Sequence, residues 1–213
     1  MLKTSEIRLV AFDCDGVLFD STQANIAYYN TILSHFGHPS MTPDQFKYVH
    51  MHTVDNALAF LFPEPDALEK AQAYRSQMSY RPFLKYMEIE PHLRKVLSDL
   101  RPQFKTAIAT NRSDTMIPLL EAHRLESEFD LVVRSMDVPN PKPHPDLLLL
   151  LLDHFRIEPT QAVYVGDSEL DEQAARAAGV PLIAYRNPAL SADFHISGLD
   201  QLRSILNGST RAP

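Results

Sequence analysis

Residues 7–21, Ile-Arg-Leu-Val-Ala-Phe-Asp-Cys-Asp-Gly-Val-Leu-Phe-Asp-Ser, decide the fold. An apolar run rich in β-formers stops at Asp13, a second carboxylate follows at Asp15, and Gly16 supplies a turn. Residues 7–12 have the length and composition of a buried strand. In open α/β sheets, ligands bind just beyond the carboxyl ends of the strands, so Asp13 and Asp15 are expected where chemistry is done. Two like charges this close raise each other's pKa unless a cation holds them. The pair reads as one metal-bound carboxylate beside one that works on protons. Taken alone, Asp-x-Asp is also an ordinary turn, because Asp favours turns and helix starts.

Beyond this stretch, apolar spacing predicts a helix over 22–36, closed by Gly37. Further helical pieces follow at 42–49, 53–62 and 64–78, separated by prolines, with no strand run before about Tyr86. Aromatics concentrate here, among them Tyr28, Tyr29, Phe36, Phe46, Phe60, Phe62 and Tyr74. They read as the core of a small helical unit, which needs large side chains; an aromatic ligand cage is the sharper alternative. From Glu90 the period changes. Helices are expected at 91–100, 114–123, 145–155, 168–178 and 199–206, and strands at Lys105–Thr110, 129–133, Ala162–Gly166 and 181–185, with an edge strand at 193–196. This alternation means βαβ units and a parallel sheet. The all-helical stretch after the first strand is then an insertion that hangs over the acidic strand end like a lid.

The sequence has 213 residues, a net charge of −7 and no basic block, so neither nucleic acid nor an anionic membrane surface is an expected partner. Cys14 is the only cysteine, which excludes an intrachain disulfide and fits a reducing, cytoplasmic setting. Its anionic neighbours disfavour a thiolate, and it reads as a packing residue. The first residues lack the apolar region of a signal peptide, and the longest apolar run, six leucines at 147–152, is far short of a membrane span. Six in a row cover every side of a helix, so this turn is either deeply buried or partly an interface; monomer and homodimer stay open.

Three later segments place polar groups at matching strand ends. The strand at Lys105–Thr110 runs into Asn111-Arg112-Ser113, the proline-rich loop 139–146 presents Lys142, and Gly166 is followed by Asp167, with Asp171 one helical turn on. Carboxylates, a hydroxyl, an amide and a lysine suit phosphoryl transfer. A carboxylate can attack phosphorus and split one hard step into two, and Mg²⁺ takes oxygen ligands while neutralising both anions.

The segments Asp13-x-Asp15-Gly-Val-Leu-Phe-Asp-Ser, Ala-Thr110-Asn, Lys142-Pro-x-Pro-Asp and Gly-Asp167-Ser-x-x-Asp171 resemble, in order, the four motifs of the haloacid dehalogenase superfamily. The likeness is to its helical-cap subgroup, which includes phosphoglycolate phosphatase and β-phosphoglucomutase. The resemblance implies an α/β fold, a Rossmann-like parallel sheet core over 1–20 and 87–213, with an α-helical cap over 21–86. It implies Mg²⁺ as cofactor and a small phosphorylated metabolite as substrate. Asp13 would be the nucleophile that forms an aspartyl-phosphate and touches the metal. Asp15 would be general acid and then base, with its carbonyl on the metal. Thr110 and Asn111 would bind the phosphoryl group, Lys142 would neutralise it, and Asp167 would bind Mg²⁺. Asp171 would act through a water or by holding the loop. Asp15 favours a phosphatase or phosphomutase over a dehalogenase, which needs no acid there. By the same resemblance, the cap residues Lys47, His50 and His52 fall where relatives choose their substrate. A glucose-phosphate mutase would carry Arg and an acidic residue there, and this chain has His52-Thr53. A receiver domain that accepts phosphate on Asp is about half this length, and a regulatory protein without turnover is argued against by the full residue set.

Overall fold

The computed structural model describes residues 4–101 and 103–207. Among them a six-stranded parallel sheet runs in the order β5-β4-β1-β6-β7-β8, with β1 Leu9–Phe12, β4 Lys105–Thr110, β5 Leu131–Arg134, β6 Ala162–Gly166, β7 Leu182–Tyr185 and β8 Phe194–Ile196. β1 lies in the middle, with Phe12 in register with Ile108 on one side and Val165 on the other. The chain order therefore reverses at β1, and the crevice beyond such a reversal is where open α/β sheets bind ligands.

Side chains alternate cleanly along the strands. Val10, Phe12, Ile108, Val163, Val165 and Ile183 join one core, against α5 (Leu93–Leu100), α6 (Met116–His123) and α9 (Leu202–Leu206). Leu9, Ala11, Ala107, Ala109, Tyr164 and Ala184 join the other, against α7 (Asp146–Phe155) and α8 (Glu169–Ala178). In α7 the leucine run divides by face: Leu147, Leu148, Leu151 and Leu152 are buried, while Leu149 and Leu150 are exposed. Cys14 is fully buried within the first core, as a packing residue should be.

Between β1 and β4 the chain forms α1 (Thr22–His35), α2 (Pro43–Met51), α3 (Val54–Leu61) and α4 (Pro65–Gln77). Their starts follow local chemistry. Thr42 and Thr53 accept hydrogen bonds from the backbone N–H groups of Gln45 and Asn56, and Pro43 and Pro65 occupy first helical positions. Gly37, at φ +74°, ends the α1 region in a conformation that favours glycine. Ile32, Leu33, Val49, Leu58, Leu61 and Phe62 form the buried heart of this unit.

Four features depart from the sequence reading. Phe19–Asp20 (β2) and Glu88–Ile89 (β3) pair as a short antiparallel ribbon at the two ends of the insertion, and 81–86 form a 3-10 helix packed on α1. The strand expected at 7–12 begins at Leu9, although Arg8 still donates to the Gln161 carbonyl. The one expected at 129–133 lies at Leu131–Arg134, because the Asp130 carboxylate accepts from the Thr106 N–H at the start of that edge.

Candidate active site

β1 delivers Asp13 to the crevice, where its N–H donates to the Val165 carbonyl at 2.9 Å. β4 delivers Thr110 and Asn111, and β6 delivers Asp167. Two glycines make this convergence possible. A Cβ on Gly16, at φ +80°, would overlap the Asp167 carboxylate, and one on Gly166 would meet Asp171. The loop before α7 brings Lys142, which is 3% exposed, to 2.8 Å from Asp13 Oδ1 and 2.7 Å from Asp171 Oδ1.

Asp171 is fully buried and holds this lysine in place. Its Oδ1 also lies 2.8 Å from the Tyr164 hydroxyl, and its Oδ2 accepts from the N–H groups of Asp167 and Ser168 and from Ser168 Oγ. Ser168 is the N-cap of α8 and Asp171 its third residue, so a reciprocal capping box doubles as the support of the site.

Electrostatics follow from burial. Among the described residues, the carboxylates of Asp13, Asp15, Asp167 and Asp171 face the cations Lys142 and Arg112. Burial, with the charges of Asp171 and Asp15 added and Lys142 opposing, pushes Asp13 up to about 7. Burial and the neighbouring Asp171 and Asp13 drive Asp167 well above the carboxylate range. Lys142 moves up despite burial, because two carboxylates hold its charge. Such mutual repulsion is what a divalent cation relieves. Carboxylate oxygens of Asp13, Asp167 and Asp171 lie within 4.8 Å of one another. This hard-oxygen donor set fits Mg²⁺. Since both Asp171 oxygens are already engaged, Asp13 and Asp167 are the better placed ligands.

Asp15 takes a different course. Burial would raise it, but Arg112, with His50 and Ser21 added, holds it below the usual range. Arg112 Nε donates to Asp15 Oδ2 at 3.1 Å, and Nη2 donates to Oδ1.

Residues 10–185 match the family of haloacid dehalogenase-like hydrolases. The chain belongs to this family. It is similar to the phosphoglycolate phosphatase of Shigella boydii serotype 4, at 32% identity over 86% of this chain and 82% of the relative. The phosphoglycolate phosphatase of Chromobacterium violaceum is 30% identical over 96% and 99%. A crystal structure of a haloacid dehalogenase-superfamily hydrolase from Geobacter sulfurreducens matches with a TM-score of 0.77 at 37% identity, over 94% of this chain and 97% of that one. With relatives of this kind along its length, the chain is a phosphatase of the haloacid dehalogenase-like group.

In this hydrolase one pocket of about 70 Å³ is lined by Asp13, Asp15, Thr110, Asn111, Lys142 and Asp167 from the sheet side. His50 and His52 line it from the insertion. Asp171 lies behind the floor, and Lys47, grouped by sequence with the two histidines, is exposed and outside the lining. Burial pushes the His50 imidazole down; its Nδ1 sits 3.2 Å from Asn25 Nδ2. His52 stacks on Tyr48 with centroids 3.9 Å apart. Sequence reasoning passed over Arg112, Asn25 and Tyr80 as site residues, although all three line the pocket. Tyr28 and Tyr29 line it too, so these aromatics serve both as core and as wall. The one available signal for Arg112 was its place directly after Thr110-Asn111 at a strand end. No helix among the described residues is long and apolar enough to cross a membrane.

Proposed function

We propose that this protein hydrolyses small phosphate monoesters through a phosphoryl group carried on Asp13, with Mg²⁺ held by Asp13 and Asp167. The observation that carries the reading is the buried triad of Asp13, Lys142 and Asp171, with Asp167 alongside. A carboxylate pinned beside a charged lysine at a strand end is positioned to attack an anionic phosphorus centre. The bound cation would supply charge neutralisation for nucleophile and phosphoryl oxygens.

In the first half-reaction an Asp13 oxygen bonds to phosphorus as the ester P–O bond breaks, and Asp15 gives the leaving oxygen its proton. In the second, water attacks phosphorus, the bond to Asp13 breaks, and Asp15 takes the proton from water. The proton taken from water in the second half is the one given up in the next first half, and Arg112 holds the ionised Asp15 that exists between the two. Lys142 and the Thr110 hydroxyl bind the transferring oxygens. The insertion, residues 21–86 between the core segments 1–20 and 87–213, closes the pocket and excludes water. Phosphoglycolate, the substrate named in the relatives, is the first ester to test.

Purified protein with Mg²⁺ is expected to release phosphate from p-nitrophenyl phosphate and phosphoglycolate, and Asp13→Asn to do so at least about a thousandfold more slowly. Turnover near the wild-type rate in Asp13→Asn removes the assigned nucleophile.

A further inference from the structure

Arg112 is charged yet 8% exposed, and its guanidinium is fixed by groups other than Asp15. Nη1 donates to Thr115 Oγ1 at 3.1 Å, and the guanidinium lies 5.1 Å from the centre of the Tyr80 ring. What remains is the edge formed by Nε and Nη2, a planar two-donor fork whose geometry matches a carboxylate. Asp15 fills this fork with both oxygens. Asp15, Arg112 and Asp13 line the same pocket.

We propose that Arg112 is a specificity residue that receives a carboxylate on the leaving group of the substrate, in exchange for Asp15. It thereby selects phosphate esters of short hydroxycarboxylic acids over neutral alkyl phosphates. This rests on the reading that Asp13 takes the phosphoryl group. A ligand carboxylate has the same shape and charge as the Asp15 carboxylate and accepts the same two hydrogen bonds. Because Tyr80 and Thr115 hold the guanidinium independently, the fork stays in place when its occupant changes.

Size agrees. The pocket, about 70 Å³, admits a handful of water-sized groups and is well below the ~300 Å³ at which drug-sized sites begin. A neutral ester brings nothing to occupy the fork, so Asp15 stays bound to Arg112 and away from the leaving oxygen.

The test compares phosphoglycolate with ethyl phosphate, which has the same carbon count and a methyl in place of the carboxylate. Wild type is expected to favour phosphoglycolate by about tenfold or more in kcat/KM, as loss of a charged hydrogen-bonding partner implies. Arg112→Lys keeps a charge without the fork and is expected to bring the ratio towards one. Equal use of the two esters by wild type, or an equal loss on both in Arg112→Lys, overturns the assignment. A binding readout separates this from the chemistry. Phosphoglycolate is expected to raise the melting temperature of wild type more than ethyl phosphate does, and Arg112→Lys to erase that difference. Equal shifts in wild type sink the fork whether or not any ester is turned over; absence of turnover with the difference intact sinks the phosphatase reading alone.

Discussion

The floor of the pocket and its roof are built on different terms. On the floor, Asp13, Lys142, Asp171, Tyr164 and Ser168 bind one another in a closed set, buried beneath the sheet edge. The roof meets the floor through scattered long-range contacts. Arg75 of α4 donates to Asp114 at 2.6 Å and to Ser113 at 3.4 Å, Asn111 Nδ2 donates to the Met51 carbonyl at 3.2 Å, and Tyr80 packs against Arg112. A mutually bound set resists change at any member, whereas scattered contacts can be lost one at a time. Reaction chemistry is expected of the first arrangement, and choice of ligand of the seam where the two meet.

Substitutions should expose this asymmetry, beginning with the floor. Asp13→Asn is expected to lower kcat on p-nitrophenyl phosphate by about a thousandfold or more, with the fold retained by circular dichroism. Asp171→Ala leaves Lys142 and the Tyr164 hydroxyl short of a partner, and breaking a buried pair costs about 3–5 kcal/mol; urea titration reads this as a lower midpoint. Stripping divalent ions with a chelator is expected to abolish activity, and adding Mg²⁺ back to raise the melting temperature. That rise should be larger at pH 8 than at pH 6. Asp13, pushed up to about 7, is protonated below that point, so a proton competes with the ion, and the folded apoprotein loses stability as pH rises through it.

On the roof, Arg75→Ala removes an ion pair whose arginine side chain is 21% exposed, expected to cost less than about 1 kcal/mol of stability. Its effect should fall on KM more than on kcat. An equal fall in kcat alone would place Arg75 with the floor. The smallest effect is expected far from both regions. Asp130 accepts from Lys105 and the Thr106 N–H and is lowered below its ordinary value, chiefly by those bonds against the opposing effect of burial. Asp130→Asn should lose about 0.5–1 kcal/mol at neutral pH. The stabilisation is present above the unfolded pKa and lost as pH falls through the folded one, so the gap to wild type should close in acid.

Most of the floor was legible from the chain because local pattern and chemistry coincide there. Lys105–Thr110 and Ala162–Gly166 are apolar runs that stop at polar residues, and the strands end where those runs end. Ser168 and Asp171 sit at capping-box spacing. The roof was far less legible. Helix existence followed from spacing, but a helix face that lines a pocket carries the same apolar pattern as one that fills a core, so Tyr28 could be read either way and Tyr80 gave no warning. Arg112 acts on Asp15 across 97 positions, a relation no local window contains. The β2–β3 ribbon, two residues to a strand, is likewise set by a distant partner and not by its own composition.

That ribbon has one more consequence. Both covalent junctions of the helical insertion pass through Phe19–Asp20 and Glu88–Ile89, hydrogen-bonded side by side. A replacement module of any size therefore has to satisfy only one pair of adjacent splice points, about 5 Å apart. Lineages can graft, lengthen or exchange the recognition half of such an enzyme while the reacting half keeps its register.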